Sequence, residues 1–166
     1  MSILAIFGVS ALMSLVSSGV IAQFYVWPRI RNADRGSALI PLLAPHMFLR
    51  FIGLSFLVPG VVSSSLPAAF AVPAAYGDFV AGLFAIVATV ALFKHAPWAL
   101  AAVCLFNIWG AADLLFALYQ GPRVGIGPGA LGAAFFIPTA IVPPLLVTHF
   151  LVFRLLVQPK RMAAGG

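Results

Sequence analysis

The sequence is poor in acid. Its 166 residues include three Asp and no Glu, and charged residues of both signs make up only 7% of the chain. Soluble domains carry about 25% charged residues. So little charge excludes a water-solvated globular surface, and it equally excludes a disordered chain, which stays unfolded through charge and polarity. The single cysteine, Cys104, excludes an intrachain disulfide. No spaced set of Cys, His and carboxylate ligands occurs, so no metal centre is expected. The Gly-rich stretch at 121–129 lacks the strand and helix that a phosphate cradle needs.

What the chain has in quantity is apolar: 63% hydrophobic residues, 13% of the chain aromatic, and nine Lys and Arg for a formal charge of +6. A basic balance can mark a nucleic-acid partner. Here the cations sit between long apolar runs, so they read as membrane topology signals, and the expected surroundings are a lipid bilayer without nucleic acid.

A spanning helix needs roughly 20 mostly apolar residues. Five runs qualify, at about 3–27, 39–60, 73–93, 97–119 and 131–157. They predict an all-α polytopic membrane protein, one up-down five-helix bundle making a single membrane domain over residues 1–166. The first run has no basic start and is followed by Pro28-Arg29-Ile30-Arg31, the reverse of a cleaved leader, so it reads as a retained span. The third opens at Pro73, or at Asp78 if that residue serves as N-cap. Pro97 suits a first helical turn, residues 121–129 read as a loop, and Pro138, Pro143 and Pro144 should kink the fifth span. Arg29, Arg31, Arg35, Lys94, Arg154, Lys160 and Arg161 fall on one side and Arg123 on the other. The positive-inside rule then puts the amino terminus outside and the carboxy terminus in the cytoplasm, in a bacterial-type inner membrane.

Ionisable residues within a span are costly and therefore candidates for function. At a rise of about 1.5 Å per residue, His46 and His149 share a depth roughly 6–8 Å to the cytoplasmic side, Arg50 and Asn107 lie near the midplane, and Asp78 and Asp113 lie roughly 7–8 Å towards the outside. Two histidines at one depth on different helices suit the axial ligation of haem b. Arg50 follows His46 by four residues on the same face and would meet a propionate. His46, His149 and Arg50 thus form the candidate cofactor set. Asp78, Asn107, Trp109 and Asp113 form the candidate ligand set, lining an outer-half pocket for a hydrophobic molecule.

Plainer readings stand beside these. Intramembrane His and Arg can simply bond to neighbouring helices, and Ser10, Ser14, Ser17 and Ser18 read as a small-residue packing face. Helical side chains lean towards their own amino terminus, which carries Arg50 towards the cytoplasm and weakens a pairing with Asp113, although the length of the arginine stem leaves that pairing open. Pro143 and Pro144 leave the carbonyls of Thr139 and Ala140 without helical donors. In a bilayer these need another partner, which favours a polar cluster or cavity near the midplane.

From Met47 to about Tyr119 the chain resembles the DoxX-like family of small bacterial membrane proteins. The matching residues are Leu49-Arg50-Phe51-Ile52-Gly53, Val58-Pro59-Gly60, and Tyr76-Gly77-Asp78 at the head of the next span. The resemblance implies a small helical bundle of the kind linked to quinone-dependent respiratory assemblies, with Arg50 and Asp78 as positions of interest. The chain departs from that pattern in carrying Asp78 where Glu is usual, and in its additional first span.

Three functions follow as expectations. The first is a cofactor- or ligand-binding accessory subunit of a membrane complex, with haem b or a quinone between the second and fifth spans. The second is a small enzyme or carrier for a hydrophobic molecule, working through Asp113, Asn107 and Trp109. The third is a structural subunit. Other membrane subunits, or further copies of the same chain, are the expected partners.

Overall fold

The computed structural model describes residues 1–158 and contains no β-strand among them. Five helices are long and apolar enough to cross a membrane: α1 (Ile3–Ile30), α2 (Arg35–Leu57), α3 (Ala68–Phe93), α4 (Ala99–Arg123) and α5 (Ile137–Val157). Lys160 and Arg161, two of the cations assigned above to the cytoplasmic side, lie outside the described residues.

The spans exist where the apolar runs predicted them, but several ends move. Helix α2 begins at Arg35, not 39, because Asp34 caps it: the Asp34 carboxylate accepts a 2.8 Å bond from the Ser37 N–H. That bond holds the Asp34 carboxyl below the usual carboxylate range. Helix α3 begins at Ala68 behind Pro67, so Asp78 lies well inside it and is no N-cap. Helix α4 continues to Arg123, absorbing Gly121 and Pro122 from the expected loop. The fifth span starts at Ile137, not 131, because Gly132 breaks the preceding 3₁₀ stretch with φ 54° and ψ −131°. A side chain there would overlap the Val61 carbonyl, which accepts from the Ala133 N–H at 2.8 Å, while the Ser63 N–H donates to Ala130 at 3.1 Å. These bonds clasp the 58–67 connection to the 124–136 connection.

Two helices contain π-helical turns, Ala22–Val26 in α1 and Ile137–Ile141 in α5. The first carries α1 past its expected end at Trp27 to Ile30 and turns Trp27 into the core. The second precedes Pro143 and Pro144. Of the two carbonyls that Pro143 and Pro144 free, that of Ala140 accepts the Ser14 hydroxyl from α1 at 3.5 Å. Ser10, Ser14 and Ser18 are partly covered, whereas Ser17 is exposed on this chain.

The core divides into two apolar clusters. One gathers Trp27, Leu39, Leu43, Ala88, Leu92, Val103 and Leu155, at the end where α1, α3 and α5 finish and α2 and α4 begin. The other gathers Phe56, Phe70, Ala74, Leu114, Ile137 and Leu145 at the opposite end. Helix α3 is central. Its inward stripe of Ala71, Ala74, Ala75, Ala81, Ala85 and Ala88 lets neighbours approach closely, as bilayer packing favours. Helix α1 buries only its last turns, and Leu4, Met13, Val16 and Val20 are exposed.

Candidate functional site

Between the two apolar clusters lies a polar one. It begins with the geometry of α2, which changes from α-helix to a 3₁₀-helix at Arg50 and keeps it to Leu57. A 3₁₀-helix has three residues per turn, and the buried residues of this stretch are spaced by three: Arg50, Gly53 and Phe56. Arg50 has no exposed surface. Its Nη1 donates to Asp78 Oδ1 at 2.5 Å and Asp113 Oδ2 at 2.8 Å. Its Nη2 donates to the Gly110 carbonyl at 2.6 Å and to His149 Nε2 at 2.9 Å. The amino-terminal lean does not keep Arg50 from Asp113: its stem is long enough to reach both acids.

The donors assign the histidine tautomers. An arginine can only donate, so His149 Nε2 accepts and its Nδ1–H donates to Asn107 Oδ1 at 2.7 Å. Asn107 returns a 3.3 Å bond from Nδ2 to the His149 carbonyl. Thr148 donates its hydroxyl to the carbonyls of its own preceding turn, so it accepts from His46 Nε2–H at 2.8 Å. His46 Nδ1 and Arg50 Nε have no partner among the described residues.

Glycines make the space. A Cβ at Gly53 would overlap Asp78 Oδ2, and one at Gly77 would overlap Asp113 Oδ1. At Gly110 it would stand 2.7 Å from His149 Cε1 and 3.0 Å from Arg50 Nη2. The three helices facing Arg50 thus hold their polar groups at distances that only a missing side chain permits. Gly53 and Gly77 stood in the sequence only as members of the quoted motifs, with no packing role read for them, and Gly110, three residues from Asp113, did not stand out at all. Thr148, beside His149, was also missed.

The structure joins Arg50, Asp78, Asp113, His149 and Asn107 into one network. His46 touches it through its ring, with centroids 4.3 Å from His149 and 4.9 Å from Phe106. Trp109 sits at the rim, 43% exposed, donating from Nε1 to the Gly77 carbonyl at 3.3 Å. The haem b expectation does not fit these residues. Two imidazoles in ring contact leave no room for a macrocycle between them, and both nitrogens of His149 are already engaged.

Asp113 opens on two cavities. One, of about 40 Å³, is closed by Phe56, Phe70, Ile137 and Val142 and reaches both Asp78 and Asp113. It is large enough for a water molecule. The other is a groove of about 380 Å³ between α3 and α4, walled by Pro73, Tyr76, Val80, Trp109 and Phe116. Tyr76 and Phe116 are exposed, so this groove opens on the outer surface of the bundle. The site can therefore present a carboxylate, held by an internal cation, to a lipophilic molecule lying against aromatic walls. Among the described residues no group of three or more His, Cys, Asp or Glu is placed to hold a metal.

Fold and site together define a multi-pass helical membrane protein with a buried ionic network at its centre. Comparison with known sequences adds its kinship: the chain belongs to the DUF8737 family, described as a domain of unknown function, whose sequence model matches residues 6–157. No curated protein and no solved structure matches the chain.

Proposed function

We propose that the chain is a five-span up-down bundle of a bacterial-type inner membrane, amino terminus outside and carboxy terminus cytoplasmic, that binds a small amphipathic molecule between α3 and α4. It would do so as a ligand-binding or accessory subunit of a larger membrane assembly. The orientation rests on the cations. Arg29, Arg31, Arg35, Lys94 and Arg154 belong to the Trp27–Leu92–Leu155 end, and Arg123 to the other.

The functional reading rests on one observation: two carboxylates share one guanidinium nitrogen, and Asp113, one of the two, also lines the aromatic groove. One guanidinium compensates one carboxylate, and the second attracts a hydrogen-bond donor. A fitting ligand has an apolar body for Tyr76, Trp109 and Phe116 and a donating head, such as a quinol hydroxyl, for Asp113. The resemblance to DoxX-like proteins over about residues 47–119 points towards the same chemistry.

The test uses purified protein in nanodiscs, titrated with an alkyl quinol and with its di-O-methyl ether, which lacks only the donors. The quinol should quench tryptophan emission saturably in the wild type, and the quenching should disappear in both Trp109→Phe and Asp113→Asn. Equal binding of quinol and ether would remove the role of Asp113. Each terminal nitrogen of Arg50 already makes two bonds within the protein, as a purely structural network would also require. A protein that keeps its fold and binds neither probe supports that second reading.

A further inference from the structure

A second groove, of about 300 Å³, runs between α1 and α5, away from the ionic network. Its walls are apolar, with Leu15 and Gly19 on one side and Val147 and Phe150 on the other, and its mouth is polar, with Gln23 and Arg154. Gly19 leaves the floor open, since a Cβ there would have no neighbour within 4 Å. From Leu15 to Gln23 the groove runs about 12 Å along the helix, enough to seat much of an acyl chain.

The mouth is charged and uncompensated. The Arg154 guanidinium stacks on the Trp27 ring, 3.6 Å from its centroid. Neither of the ion pairs among the described residues involves it; both belong to Arg50. Trp27 is in place because the π-helical turn Ala22–Val26 brings the ring into the core, 7% exposed. Stacking occupies one face of the guanidinium and leaves its N–H edge clear, the edge that grips a phosphate in bidentate fashion. Arg35 is occupied, donating to the Gln158 carbonyl at the end of α5. Asp34 is the one acid nearby in sequence, and it caps α2 through Ser37. This end therefore holds Arg29, Arg31, Arg35, Lys94 and Arg154 against Asp34, a marked cationic excess.

We propose that this groove is a site for an anionic phospholipid, with one acyl chain between α1 and α5 and the phosphodiester bonded by Arg154 and Gln23. Basic pockets between spans recognise anionic head groups in this manner. An apolar partner helix would satisfy the walls but leave the guanidinium buried without an anion, whereas a lipid satisfies both.

Native mass spectrometry of the full chain in mild detergent tests it, after delipidation and re-addition of phosphatidylglycerol, phosphatidylcholine or inorganic phosphate. The wild type should retain one phosphatidylglycerol, hold phosphatidylcholine about tenfold more weakly, and show no phosphate adduct. Arg154→Gln should lower phosphatidylglycerol retention about tenfold. Gly19→Leu, which fills the groove and leaves the arginine intact, should lower it similarly and serves if Arg154→Gln fails to fold. Undiminished retention in the folded variants overturns the proposal, as does equal retention of the two lipids. Retention of free phosphate assigns the site to a soluble anion, and a dimer lost on Gly19→Leu assigns the groove to a second copy of the chain.

Discussion

Replacing Arg50 by methionine is the sharpest test of how the centre of the bundle holds together. The substitution keeps an unbranched apolar stem and removes the guanidinium, together with four bonds: to Asp78 and Asp113 at 2.5 and 2.8 Å, and to Gly110 and His149 at 2.6 and 2.9 Å. It leaves two carboxylates on one site without a cation. Breaking a buried ion pair on one side alone costs about 3–5 kcal/mol. For a chain of this length each kcal/mol lowers Tm by about 2–4 °C, so the expected fall is about 6–20 °C. Heating in detergent with detection at the helical circular-dichroism band would read it. The decisive comparison is Arg50→Met combined with Asp78→Asn and Asp113→Asn, which takes away the stranded charges along with the cation. If charge imbalance is the cause, the triple variant recovers at least half of the loss, because replacing a whole buried ionic group is often nearly neutral. A triple variant no more stable than the single one, or a single variant that melts like the wild type, would refute the reasoning.

Two further variants probe the surroundings. Gly110→Ala places a methyl 2.7 Å from His149 Cε1 and should cost about 1–3 kcal/mol by overpacking, whereas Gly8→Ala, with nothing within 4 Å, should leave Tm unchanged or slightly raised. Asp34→Ala removes the cap of α2; because the folded Asp34 carboxyl lies below its ordinary range, the stability it contributes is present at neutral pH and fades as pH falls below about 4. The gap in Tm between wild type and Asp34→Ala should accordingly narrow between pH 7 and pH 3.

The five spans were legible because apolar length is a strong signal, and several ends were not, because a polar cap sets that of α2 while Pro67 and the Gly132 backbone set those of α3 and α5. Arg35 and Gly36 look like loop until Asp34 is seen to cap them, and Gly121-Pro122 looks like a turn although α4 runs through it. Depth along each run paired Asp78 with Asp113 and His46 with His149, but it set the acids and the histidines in opposite halves, whereas one guanidinium bonds to Asp78, Asp113 and His149 and draws them into a single layer. Depth says nothing about rotation. The two histidines at one level turned out to be in ring contact rather than facing each other across a cofactor. The change from α to 3₁₀ geometry at Arg50, which spaces the buried Arg50, Gly53 and Phe56 by three, is likewise not revealed by any periodicity in an almost uniformly apolar run. The role of the glycines that admit the network was illegible for a similar reason, since it is defined by what a neighbouring helix puts opposite them.

The separations along the chain within this network also set an order of events during synthesis. Arg50 precedes Asp78 by 28 residues and Asp113 by 63. At about 5–20 residues per second a ribosome delivers the first acid some seconds before the second. Arg50 therefore reaches the membrane ahead of both of its partner anions, and α3 brings the first of them. Helices α2 and α3 can enter the bilayer as a hairpin whose charges already cancel. Helix α4 arrives later, with an aspartate mid-span and its one cation, Arg123, at the far end, and it is admitted by a guanidinium that has a nitrogen to share.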